Sequence, residues 1–464
     1  MQQIIVIGGG LSGLATAYQI QQQAQVQNLA VNVKVLEKEA RVGGKAWSRH
    51  ENGYLCEWGP NGFLTNKPQT LELCQSLGIS EKLLPSNDNA RKRFVFSQGK
   101  LHKLPHNQIE FLTNSLISCK GKLRIAAEFF VPQRHASSDE TLADFTRRRL
   151  GAEALNKLIA PMAGGIFAGD PEQMSLQACF PRIYQLEQEY GGLLKAMLRL
   201  TRQHHSDKKA GKVVASPAGP GGVLTSFSGG IQELISALSD AIGRDNLIQT
   251  AAVDKISQLQ NGQWQVTAGN EVYAADKIVC ATPAFASAAM LQDLDADLAN
   301  SLQKIKYAPL LVVCLGYAQT QIEADLNGFG YLFARGEDEA LLGTLWDSSI
   351  FAARAPAGKI LLRSMLGGAS HPQVMNLDDQ QIQQLVQKSL TTTLGIKATP
   401  ELVQIYRHVQ AIPAYGLGHK DLVAKIMMQA SQYSGLFITG NAYTGVGIND
   451  CVAAAVATAK QVLA

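Results

Sequence analysis

The chain opens with an apolar run, Ile4-Ile5-Val6-Ile7, that stops at glycine and passes into an apolar-periodic stretch from Leu11 to Ile20. A short continuous apolar run reads as a buried strand, and recurrence every 3.6 residues reads as a helix. A second apolar strand, Val31 to Leu36, ends in Glu37. Farther along, the pattern predicts a helix over 231–242, short strands near 253–256 and 264–267, and a buried strand over 277–281. That strand stops at Thr282-Pro283, a helix-start signal. A last buried strand over 435–440 precedes an alanine-rich helix over 451–463. Leu186, Tyr190, Leu193, Leu194, Met197 and Leu200 recur so as to predict one core helix over 183–203.

Strands alternating with helices imply an α/β fold with a parallel sheet. Its pieces are discontinuous in sequence: residues 1–85, 218–290 and 430–464 form one lobe, 86–217 a mainly helical insertion, and 291–429 a strand-rich, mixed-sheet domain. Residues 202–212, with paired His and Lys, and 217–222 read as an exposed connection. No internal repeat is visible.

The junction of the first strand and helix carries Gly8-x-Gly10-x-x-Gly13, with the acid Glu37 about two dozen residues later. Strand, triplet, helix, strand and acid in this order form a Rossmann-like dinucleotide site. Gly8 makes the turn, Gly10 admits a pyrophosphate, and Gly13 lets helix and strand pack closely. The helix N-terminus offers N–H groups and positive dipole to phosphates, and Glu37 accepts from ribose hydroxyls. Arg41-Val42-Gly43-Gly44-Lys45 follows the acid. A glycine pair flanked by cations suits a second backbone approach to the pyrophosphate, which favours FAD over NAD.

Near the C-terminus, Gly440-Asn441-Ala442-Tyr443-Thr444-Gly445-Val446-Gly447-Ile448-Asn449-Asp450 leads into the alanine-rich helix. Glycines here let backbone lie against a flat ligand. A helix N-terminus beside the pyrimidine edge of a flavin stabilises the negative charge gained on reduction, with the N–H groups of Val446, Gly447 and Ile448 as donors. The side chains of Asn449 and Asp450 read as capping residues.

With 46% hydrophobic and 17% charged residues over 464 positions, the composition predicts a well-buried protein of two or three lobes. A net charge of +4 does not point to nucleic acid. Seven scattered cysteines, with no CxxC pair, point to a reducing compartment and away from a disulfide or zinc framework. Cys56, Cys280 and Cys314 lie in apolar stretches and read as core. The first strand begins within a few residues of the start, and no apolar run has transmembrane length. The expectation is therefore a cytoplasmic protein, or one peripheral to a membrane.

Glu57-Trp58-Gly59-Pro60-Asn61-Gly62-Phe63, following the acid and the glycine pair, resembles the amine-oxidase-type FAD superfamily. Further motifs resemble the protoporphyrinogen oxidase family, its oxygen-dependent bacterial form above all. These are Gly165-Ile166-Phe167-Ala168-Gly169-Asp170, Cys179-Phe180-Pro181, Gly328-Phe329-Gly330, Ile412-Pro413-Ala414-Tyr415-Gly416-Leu417-Gly418-His419 and the loop 445–450. The match runs nearly end to end. It implies an FAD-binding domain, a helical domain and a substrate-binding domain, and a non-covalent FAD held by Gly8, Gly10, Leu11, Ser12 and Gly13. Glu37, Lys38, Gly44 and Lys45, then Trp58, Gly59, Pro60 and Asn61, and finally Val253, Val446, Gly447 and Ile448 complete the implied contacts. No Cys lies between Ala411 and His419, against a covalent thioether.

The resemblance also implies a porphyrinogen substrate losing six hydrogens, with molecular oxygen reduced to hydrogen peroxide. Arg93 then stands where the family binds a propionate, Phe329 against a pyrrole face, and Met365 and Leu294 in the apolar wall. Gly169 would allow close approach of helix and substrate. No residue pattern demands a general base or a metal, and His408 and His419 read as structural. Two departures, His408 and Ala414, fall where relatives carry Trp and Gln, and leave the shape of the flavin edge open. The stretch Phe111 to Ile117 with Lys120, Lys122, Arg124, Phe129 and Phe130 suits a helix resting in anionic headgroups, and equally one packed on its own core. The family's habit favours peripheral contact with the inner membrane surface; a homodimer is also compatible. An amine or carotenoid oxidase on the same scaffold, coproporphyrinogen as substrate, and a purely structural flavin are the alternatives.

Overall fold

The computed structural model describes residues 1–134, 138–209, 222–337 and 340–464. At its centre is a five-stranded parallel sheet in the order Leu247–Ile248, Val31–Leu36, Gln2–Ile7, Lys277–Cys280, Leu436–Ile438. Such a sheet must be covered on both faces, and the side-chain alternation does this. Ile4, Val6, Val33 and Val35 pack beneath helices Leu11–Val26, Gln232–Ile242 and Ile448–Leu463. Ile5, Ile7, Ile278 and Cys280 face the antiparallel sheet Val253–Gln258, Trp264–Ala268 and Glu271–Ala275, with helices Ala284–Leu291 and Ala296–Gln303 beside it.

A seven-stranded mixed sheet forms the second layer, in the order Leu402–Pro413, Tyr307–Ala318, Lys359–Gly367, Leu341–Leu345, Gly330–Phe333, Arg93–Ser97, Lys100–Lys103. On strand Tyr307–Ala318, Leu311, Val313, Leu315 and Tyr317 join the core under helix Asp379–Leu394. Leu310, Val312 and Cys314 face the other way, toward Tyr54, Cys56 and Trp58. The substrate sheet thus presents one apolar face to the dinucleotide lobe.

Several expectations are corrected. Segment 86–217, expected to be mainly helical, also supplies strand Arg93–Ser97, which pairs in parallel with Gly330–Phe333 and extends the mixed sheet. The helix expected over 183–203 is two, Pro181–Tyr190 and Leu193–Lys209, broken where Gly191 takes φ +74°. Its apolar residues are half-buried, while Glu187 is buried. The connection expected at 202–212 and 217–222 is helix up to Lys209, and residues 210–221 lie outside those described.

Glu187 is drawn inward by arginines. Arg149 and Glu128, both buried, pair at 2.7 Å, and Arg149 also donates to Val131 O, Pro132 O and Gly191 O. Glu128 accepts from the backbone N–H groups of Leu193 and Leu194, so one ion pair ties four segments of the helical lobe. Arg149→Ala strands the Glu128 charge. It is expected to cost about 3–5 kcal/mol, read as a lowered urea midpoint for loss of helical signal.

Candidate cofactor and active site

The N-terminus of helix Leu11–Val26 meets the first strand at backbone contact distance. A Cβ on Gly13 would lie 1.8 Å from Gly8 O, whereas around a Cβ on Gly10 there is open space. Closeness at one position and vacancy at the other are what a pyrophosphate approaching the helix requires. Leu11 and Ser12 start that helix. The second glycine loop runs alongside, with Gly43 N donating to Gly9 O at 2.7 Å and Gly10 bridging Gly43. Gly44 therefore lies against Gly10.

Glu37, buried at the end of the second strand, accepts from Gly9 N at 2.7 Å and Glu39 N at 2.9 Å. A carboxylate accepts about four hydrogen bonds, so capacity is left for ribose. Lys38 is exposed beside it. Ala251 N donates to Glu37 O, which brings the segment leading to Val253 to the same end of the sheet.

Lys45 points the other way. Its Nζ donates to Gln410 O and Ala411 O on the edge strand of the substrate sheet, and burial lowers its pKa to about 8. Trp58 stands between the lobes, 4.1 Å from Trp47 and 4.7 Å from Tyr406 between ring centroids. Arg41 lies over both Trp rings. The strap Trp58-Gly59-Pro60-Asn61 then crosses to the short strand Phe63–Leu64. His408 Nε2 is 2.9 Å from Trp58 O, and Arg363 donates to Gly59 O at 2.8 Å. Burial keeps His408 below its ordinary pKa.

At the other end of the chain, helix Ile448–Leu463 packs along helix Leu11–Val26 in one core. Both helix N-termini and the loop through Val446 and Gly447 thus converge. Asp450 caps as expected, accepting from Gly447 N at 3.3 Å, and pairs with Lys67. Asn449 does not cap: it accepts from Thr70 Oγ1 and donates to Leu64 O, fixing the helix to the strap's far end.

On the substrate sheet, Arg93 lies over the Phe329 ring with 4.9 Å from Cζ to the centroid, and Phe329 and Met365 share an apolar cluster. Met365 also packs against the buried cluster that Trp58 packs against, linking the two clusters at the strap. Surrounding protein lowers the Arg93 pKa although solvent reaches it. Two residues expected at the substrate, Leu294 in the wall and Gly169 at a close approach, are engaged elsewhere. Leu294 packs in the dinucleotide lobe, since the turn that carries it joins two helices lying on that lobe's sheet. At Gly169 the space a Cβ would take is filled by Met174. His419 stacks on Tyr415 at 4.1 Å and is held neutral by burial, with a pKa of about 4.

The family model described as flavin-containing amine oxidoreductase matches residues 11–463. The chain belongs to that family. It is 29% identical to the coproporphyrinogen III oxidase of Bacillus subtilis (strain 168), over 97% of this chain and 95% of that one. It is 30% identical to the chloroplastic protoporphyrinogen oxidase 1 of Spinacia oleracea, over 99% of this chain and 84% of that one. A crystal structure from Exiguobacterium sp. 255-15 superposes with TM-score 0.85 at 25% identity, covering 99% of this chain and 98% of that one.

This family member is an FAD-dependent oxidase, and its residues fit the cofactor. The buried Asn61 Nδ2 on the strap has no protein partner. Gly10 leaves open room beside a helix N-terminus. Among the described residues no His, Cys, Asp and Glu cluster could hold a metal. Trp47, Arg41, His408 and Arg363 were not among the expected contacts. Arg363 had a legible signal, a lone cation inside the apolar strand Lys359–Gly367.

Gly13→Ala forces helix and strand apart and is expected to abolish FAD retention, read by titrating apoprotein with FAD.

Proposed function

We propose that this oxidase converts protoporphyrinogen IX to protoporphyrin IX, using molecular oxygen and releasing hydrogen peroxide. Six hydrogens leave the macrocycle and three oxygen molecules become three of peroxide. The observation that carries the reading is Arg93 over Phe329, joined through Met365 to the strap. A guanidinium beside an aromatic face suits a large apolar ring that bears carboxylates. The names of the Bacillus and spinach relatives support the substrate class.

Bound FAD supplies the hydride-accepting centre and the route of electrons to oxygen. Gly10, Trp58 to Asn61 and the N–H groups of Val446 and Ile448 hold it, while Glu37, Lys38 and Val253 receive its adenosine end; the expected Gly447 N–H is spent on Asp450. Arg93 binds a propionate and Phe329 orients the ring, so that the reacting carbon is fixed without a side-chain base. His419, stacked and neutral, serves packing. The pyrrole N–H protons pass to solvent. Coproporphyrinogen III is the second reading, favoured by the Bacillus relative. It carries four propionates against the two of protoporphyrinogen.

The helical lobe supports a membrane role. Ile109, Leu112, Leu123 and Phe130 are 76%, 67%, 72% and 83% exposed, beside the exposed Lys120. Lys122 and Arg124 are engaged with backbone carbonyls, and Leu116 and Ile117 are the buried side of the same segment. Among the described residues no helix is long and apolar enough to cross a membrane. The reading is a chain resting on the cytoplasmic face of the cell membrane, its apolar side chains in the headgroup boundary.

Anaerobic mixing of the FAD-loaded enzyme with protoporphyrinogen should bleach the flavin rapidly, and initial rates should be higher than with coproporphyrinogen. A colour that persists would refute the reading. Arg93→Ala should raise KM about tenfold or more while changing kcat little, because the contact is remote from the hydride. Leu123→Glu with Phe130→Glu should reduce co-sedimentation with anionic vesicles and leave the soluble rate intact.

A further inference from the structure

The strap between Glu57 and Phe63 has no secondary structure of its own. Two consecutive strap carbonyls are nevertheless held by side chains from the substrate sheet: Trp58 O by His408 Nε2 at 2.9 Å and Gly59 O by Arg363 Nη1 at 2.8 Å. A carbonyl only accepts, so His408 carries its proton on Nε2. In a trans peptide the N–H lies opposite the C=O. With Trp58 O turned to the sheet, the Gly59 N–H therefore points away from it, and farther along the same strap the buried Asn61 Nδ2 has no protein partner.

Arg363 is itself built in. It is fully buried, and its Nε lies 2.9 Å from Oδ2 of Asp347, also buried. A second buried pair, Arg354 and Glu57 at 3.4 Å, stands at the strap's root. Arg354 donates to Ser226 Oγ and Phe227 O, and Glu57 accepts from Ser48 Oγ and Ile231 N. Two cations and two carboxylates balance. Burial pushes both carboxyls upward, whereas Asp347 raises the Arg363 pKa against the lowering effect of burial. Buried ion pairs add little net stability over apolar packing, but they fix geometry, and the geometry fixed here is that of the strap.

We propose that Arg363 and His408 are positioning residues that clamp the strap so that the Gly59 N–H faces the flavin and favours its reduced form. This rests on the reading that Trp58 to Asn61 line the cofactor. Neither residue need touch substrate. The clamp carries the position of the substrate sheet to the cofactor's electron affinity, since the two anchors sit on strands Lys359–Gly367 and Leu402–Pro413.

The test compares Arg363→Lys, His408→Leu, His408→Gln and Asn61→Ala. FAD affinity is read by apoprotein titration and the midpoint potential of the holoenzyme by dye equilibration. Arg363→Lys and His408→Leu should each weaken FAD binding about tenfold, the scale of one charge-assisted hydrogen bond. They should also shift the two-electron equilibrium about tenfold toward oxidised flavin, roughly 30 mV more negative. His408→Gln keeps a donor and should restore the wild-type potential. Unchanged potentials in Arg363→Lys and His408→Leu, with Asn61→Ala shifted, overturn the clamp alone. Unchanged affinity and potential in Asn61→Ala overturn the strap reading and the clamp with it. Where Arg363→Lys fails to fold, the half-buried position 408 decides.

Discussion

A helix N-terminus pressed onto a strand with no side chain between them is the constraint from which the cofactor lobe follows. The Gly13 Cα stands so close to Gly8 O that one methyl group would separate them. That contact sets the position of helix Leu11–Val26, and hence of the groove against which helix Ile448–Leu463 lies. It also aligns the second glycine loop, because Gly43 bonds to Gly9 and bridges Gly10. Phosphate binding here depends on backbone placed by packing, and few side-chain charges are needed.

The substrate sheet obeys a different rule. Its inward face is apolar along strand Tyr307–Ala318, yet it carries Arg363, Tyr406 and His408 where it meets the strap. Each polar group there is oriented by a partner or by an aromatic neighbour, so the junction between lobes is ordered without a continuous sheet crossing it. The apolar patch of Phe329 and Met365 lies immediately beyond, under Arg93.

Most of the dinucleotide lobe was legible in sequence because local signals and tertiary need coincide there. The strands 2–7, 31–36 and 277–280 are short apolar runs, and Gly8 and Gly13 mark positions where a side chain does not fit. The rest depended on distant pairing. Strand Arg93–Ser97 is recognisable only once Gly330–Phe333 is seen beside it. The break at Gly191 is decided by Arg149 bonding the Gly191 carbonyl and by Glu128 holding Leu193 and Leu194. Leu294 was misplaced because a leucine in a helix–helix turn carries no mark of which lobe receives it. Arg363 went unnoticed although a cation in a buried strand is itself a signal.

The parallel sheet is completed only by strand Leu436–Ile438 and covered by helix Ile448–Leu463, more than four hundred residues after its first strand, Gln2–Ile7. On the ribosome, the glycine loops emerge first and then wait while the helical and mixed-sheet segments are made. Isoalloxazine capture is therefore a late event in biogenesis. Until it occurs, the nascent N-terminal half keeps an open sheet edge in the crowded cell, which gives chaperones a surface to guard.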